Sequence, residues 1–128
     1  DLHSFPTRRS SDLHIGLNVV TAAEGVPHAV LIRALEPITG IETATHGPGL
    51  LCQAMHVDRD LNGVSLRRAP LWIERPAAFS PPRVSRSARI GVDYAGDWAL
   101  KPWRFFDRDS PYVSTVSAAK RRRALAGT

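Results

Sequence analysis

Residues 15–22 read IGLNVVTA and residues 28–35 read HAVLIRAL, joined by AEGVP at residues 23–27. Both runs are rich in β-branched and apolar side chains, which suits extended backbone. Gly25 can take positive φ and Pro27 fixes its own, so the joining residues have the chemistry of a tight connection. Glu36-Pro37 ends the second run, because the proline ring removes a ladder donor. An antiparallel hairpin is therefore predicted. If Ala22 pairs with Pro27, Asn18 stands opposite Leu31. Period-two alternation then places Asn18, Leu31 and Arg33 on one face. An amide and a guanidinium together on a sheet face are an uncommon pairing, which makes the hairpin the first place to look for function.

Further along, Gly47-Pro48-Gly49 precedes LLCQAM. Proline suits the first turn of a helix, and Leu50, Leu51, Ala54 and Met55 fall at helical spacing, predicting a short helix with that stripe buried. Its opening amides can serve either as a phosphate seat or as an ordinary helix start. Residues 71–73 (LWI) and 89–92 (RIGV) read as short strands, and residues 93–96 (DYAG) as a turn. Residues 103–106 (WRFF) read as an aromatic strand, and residues 76–82 as a proline-rich surface loop. Trp98, Trp103 and Phe105 are expected in the core. The pattern is that of a single α+β domain.

The chain has 128 residues, 43% of them hydrophobic, with one cysteine and a formal charge of +5. That length accommodates one core, not two. A lone Cys52 excludes an internal disulfide framework and a cysteine zinc cluster, and fits a reducing compartment. No apolar run is long enough to cross a bilayer as a helix. Residues 1–13 (DLHSFPTRRSSDL) have neither strand nor helix period and are expected to form a foreign, disordered arm. Residues 3–13 resemble the in-frame translation of a sequencing-library adapter. Removing residues 1–13 takes two arginines and two aspartates and leaves +5. Removing residues 120–123 (KRRR) takes four more cations and leaves +1, so the excess charge sits in a basic tail, residues 118–128. A basic tail of this kind attracts polyanions without identifying one.

Several chemistries lack their residues. The glycines form no phosphate loop and no G-x-S-x-G elbow occurs. The histidines are not spaced as metal ligands, so neither a metal nor a cofactor is expected. Glu24, Glu36, Glu42 and Glu74 are the only glutamates, and none has an apolar setting in the sequence.

The order of motifs is more informative than composition. Residues 18–21 (NVVT), 29–37 (AVLIRALEP), 47–54 (GPGLLCQA) and 61–63 (LNG) resemble the alkyladenine DNA glycosylase family, the DNA-3-methyladenine glycosylases. So do residues 70–74 (PLWIE), 89–99 (RIGVDYAGDWA), 101–106 (KPWRFF) and 110–114 (SPYVS). The resemblance runs from about His14 to Ser114 and implies a single α+β domain, residues 14–117, built on a curved antiparallel sheet with a few short helices. It also implies base-excision repair. Alkylated or deaminated purines in double-stranded DNA would be flipped out and their N-glycosidic bonds hydrolysed by an activated water, without a metal. On that resemblance, Arg33 and the backbone carbonyl of Ile90 hold the water, while Asn18 and Leu31 line the base pocket. His14 falls where the family has a substrate-binding aromatic or histidine beside its intercalating loop, and the backbone at Gly47, Gly49 and Gly91 meets phosphates. A monomer in the bacterial cytoplasm, associated with the nucleoid, is the expected setting.

Three departures bear on activity. The family's catalytic glutamate and its base-stacking aromatics precede the position of Asn18, and no residue here matches them. The segment between the Leu-Glu-Pro and Gly-Pro-Gly motifs is short, residues 38–46, and Leu50 replaces a frequent lysine. The chain is therefore expected to be truncated at its N-terminus, to expose apolar edges, and to lack excision activity. The alternative reading is a non-catalytic DNA-binding remnant.

Overall fold

The computed structural model describes residues 3–4, 7–8 and 15–113, with side chains from residue 15 onward. His14, the tail at 118–128 and most of the segment 1–13 lie outside the described residues.

The hairpin forms with the expected register. The strands β1 (His3–Ser4), β2 (Thr7–Arg8), β3 (Ile15–Val20) and β4 (Ala29–Ile32) make one antiparallel sheet. Asn18 pairs with Leu31 and Leu17 with Ile32. Both strands are shorter than the sequence predicts. The connection is closed by the Thr21 amide donating to the His28 carbonyl (3.1 Å) and Val26 donating to Ala23 (3.0 Å). On the other edge of β3, His3–Ser4 and Thr7–Arg8 pair in one register, where the sequence predicts no regular structure.

One face of β3 carries the core. Leu17 and Val19 are buried, and Leu17 packs with Leu51, Cys52 and Val57. Leu51 and Cys52 belong to helix α1 (Pro48–Ala54), which begins as expected with Pro48 in its first turn behind an extended Gly47. The buried stripe differs from the predicted one. Leu50 is 39% exposed, and Cys52 takes the inward position beside Leu51 and Ala54. The reason is the helix end: His56 adopts φ 57°, and the Val57 amide donates to the Cys52 carbonyl (2.8 Å) while His56 donates to Gln53 (3.2 Å). This left-handed cap folds Val57 back onto the Cys52 side and decides which face is inward. Residues 38–46 are closed onto the end of β4 by buried Thr45, whose hydroxyl donates to the Leu35 carbonyl while Leu35 donates to Thr45 (3.1 Å).

Burial raises the Cys52 thiol pKa, opposed in part by a hydrogen bond with the Leu17 backbone. The neutral thiol is thus favoured in the folded state. Its stabilisation is present below the unfolded value, near 9.0, and is lost as pH rises through the higher folded value. Between about pH 8 and about pH 10 the urea midpoint should therefore fall further for the native chain than for Cys52→Ala. Equal slopes for the two proteins would contradict a buried thiol.

Two antiparallel ribbons complete the described structure. Strand β5 (Arg67–Arg68) pairs with β6 (Leu71–Trp72), and β7 (Val84–Ser87) pairs with β8 (Arg104–Asp107). The strand predicted at residues 89–92 is not formed. Gly91 turns the chain at φ 74°, and Asp93–Leu100 continues as 3₁₀ turns broken at Gly96, φ 60°. The expected α+β class holds, with short helices and antiparallel strands distributed over one sheet and two ribbons.

Candidate active site on the hairpin

Because Leu17 packs against α1 and Val19 is buried on the same side, alternation turns Asn18 to the opposite side of β3. Register places Leu31 directly across from it, and both side chains are half-buried. Arg33 follows immediately after β4, two residues beyond Leu31. Arg33 is also half-buried; its Nε is shielded from solvent and makes no hydrogen bond, while the residue is otherwise engaged. Asn18 and Leu31, two of the predicted site residues, are therefore cross-strand partners on the hairpin, and Arg33 follows just past the end of β4.

The remaining predicted residues come from other segments. Ile90 is 39% exposed and precedes Gly91, in the connection between β7 and the 3₁₀ turns. Positive φ at Gly91 lets the chain reverse there without the penalty a Cβ would bring. Gly47 starts α1 and Gly49 lies in its first turn, with the Leu51 amide donating to the Gly47 carbonyl (2.9 Å). His14 lies outside the described residues. Among the described residues, no three of His, Cys, Asp and Glu are grouped to hold a metal ion, and no helix is long and apolar enough to cross a membrane.

Trp98, Trp103 and Phe105 are expected in the core, yet they are 58%, 46% and 60% exposed. The inward position on β8 is taken instead by Arg104, which is only 6% exposed. Its guanidinium donates to Ser87 Oγ (3.2 Å) and lies over the Phe106 ring at 4.6 Å. Burial lowers its pKa from the usual arginine value, although arginine remains charged at neutral pH. Hydrophobicity ranks the rings as more buried than the arginine; β7 pairing reverses the order, because Arg104 stands opposite Ser87 and Phe105 opposite Arg86.

Comparison with known proteins agrees with the motif order. The family model for methylpurine-DNA glycosylase (MPG) matches residues 8–111. A Legionella pneumophila (strain Corby) protein named as a 3-methyladenine DNA glycosylase is 46% identical over 98 residues, 77% of this chain and 54% of its own. Proteins carrying the same name from Myxococcus xanthus and Anaeromyxobacter dehalogenans are 43% and 48% identical. They align over 87% and 77% of this chain, and over 58% and 47% of their own lengths. The chain spans about half the length of these relatives. It belongs to the methylpurine-DNA glycosylase family.

Proposed function

We propose that the chain carries the base-pocket portion of a DNA glycosylase that excises alkylated or deaminated purines from double-stranded DNA in the cytoplasm. The observation that carries this reading is the Asn18–Leu31 pairing on the hairpin face turned away from the core, with Arg33 just past the end of β4. A flipped purine is flat. A half-buried leucine offers it an apolar contact, and the Asn18 amide sits where a purine's edge substituents discriminate one base from another. The amide disfavours normal guanine by crowding its exocyclic amine.

Arginine can only donate hydrogen bonds, so Arg33 orients a water through the water's oxygen, while the Ile90 carbonyl accepts a hydrogen bond from the hydrogen that the sugar hydroxyl will keep. The water oxygen then bonds to the sugar carbon as the glycosidic bond breaks and the purine departs with the bonding pair. The other water proton passes to a glutamate that no residue of this sequence matches. Phosphates on either side meet backbone amides near Gly47, Gly49 and Gly91, a mode that reads duplex shape without reading sequence.

The test replaces the matching segment of the Legionella relative with residues 15–113 of this chain. Hypoxanthine release from a duplex by the folded chimaera is the expected result. A folded chimaera that binds duplex DNA in a salt-dependent way but releases no base would overturn the reading in favour of the non-catalytic remnant. The 128-residue chain itself should release no base.

A further inference from the structure

The exposed aromatics are not scattered. Phe105 stands directly opposite Arg86 across the β7–β8 ladder, so both project from one face of the ribbon. The Arg86 guanidinium lies 4.9 Å from the Phe105 ring centre, and its Nε donates to the Pro102 carbonyl at 3.4 Å. The Arg89 guanidinium lies 5.1 Å from the Trp103 ring centre and donates to the Trp98 carbonyl at 3.1 Å. Trp103 and Trp98 are neighbours, 5.4 Å apart and tilted by 37°. Lys101 Nζ is 5.7 Å from the Trp98 ring. Three rings and three cations therefore lie in a strip along the ribbon and the turn before β8, with each aromatic residue about half exposed or more.

From this strip we propose a surface that binds a single, unstacked nucleic-acid strand, with bases on the rings and phosphates on the cations. Cations beside the rings favour an anionic partner over a purely apolar one. The hydrogen bonds to the Pro102 and Trp98 carbonyls hold both guanidinium groups beside their rings, so less side-chain freedom remains to be lost on binding. Asp107 lies at the far end of the same ribbon face, and its carboxylate accepts from the Asp109 amide at 3.0 Å, which ties it to the turn. Asp97 is adjacent to Trp98 in sequence. Rings that stack any base, beside positive charges, are the means by which proteins hold single strands without reading sequence. The proposal rests on the chain being a nucleic-acid protein, but it needs neither the purine pocket nor excision.

The probe is a fluorescein-labelled twelve-nucleotide oligothymidine, which contains no purine and so cannot report on the pocket. With the full 128-residue chain, binding followed by anisotropy should be accompanied by quenching of tryptophan fluorescence as thymines stack. Trp98→Leu with Trp103→Leu and Phe105→Leu keeps apolar bulk and removes the π faces; it should weaken binding about tenfold or more and abolish the quenching. Arg86→Ala with Arg89→Ala should lower the slope of log K against log salt by about one to one and a half. The basic tail is intact in every variant, so its attraction cancels in each comparison. Binding without quenching by the native chain overturns the proposal whether or not the variants fold. Equal competition by a polyglutamate peptide overturns it in favour of plain charge recognition, and concentration-dependent dimerisation lost in the leucine variant overturns it in favour of a second copy of the chain.

Discussion

Arg33→Ala, made in the chimaera with the Legionella relative, should lower hypoxanthine excision by roughly 10²- to 10³-fold, as expected when one preorganised donor at a reacting centre is removed. The physical basis is positional. Arg33 sits directly after β4 and is half-buried, with its Nε shielded from solvent. A partly shielded cation acts through a lower effective dielectric than an exposed one, so its hold on a water is stronger there. Because the residue would act on the water and not on the duplex backbone, duplex affinity should change by less than about threefold. Arg33→Lys should recover little, since a point charge does not reproduce the planar fork. Full excision by the alanine variant would remove Arg33 from the chemistry, and a parallel loss of duplex binding would make it a structural or phosphate-contacting residue.

Leu51→Ala should be the most destabilising single truncation in the core, at about 3 kcal/mol. Leu51 has no exposure, and it packs with Leu17, Cys52 and Val57 at the centre of the cluster. Few other fully buried side chains share the load among the described residues: Leu66, Thr45 and Cys52 are the others. Against a domain stability of order 5–10 kcal/mol, that loss takes a large fraction of the whole. Leu50→Ala, one residue earlier and 39% exposed, should cost less than about 1 kcal/mol. The measurement is the urea midpoint of each variant followed by circular dichroism. Similar midpoints for the two would show that α1 presents a different face to the sheet.

The hairpin was legible because its determinants are local. A proline, a glycine and two β-branched runs lie within about twenty residues, and once the turn is placed, alternation sets every partner. Asn18 and Leu31 could be matched across the strands for that reason. The start of α1 was legible too, from Pro48. Its inward face was not, because spacing alone leaves Leu50 and Cys52 equally placed; the left-handed conformation of His56, which brings Val57 back, chose between them. Strand β7 was missed because Val84-Ser85-Arg86-Ser87 lacks an apolar period, and it exists by virtue of a partner some twenty residues away. The misplaced strand at residues 89–92 had the composition of a strand, but the positive φ of Gly91 breaks it.

The order of short motifs along the chain determined the family, and the excess of arginine and lysine in residues 120–123 pointed toward nucleic acid without proving it. Tertiary structure alone decided which side chains meet solvent on the β7–β8 ribbon. Composition ranks tryptophan and phenylalanine as core residues and arginine as a surface residue. Here Arg104 is inside, while Trp98, Trp103 and Phe105 are outside beneath Arg86, Arg89 and Lys101. Burial is a property of the pairing between distant segments, and a ladder admits only one side chain per position per face, whatever its hydrophobicity.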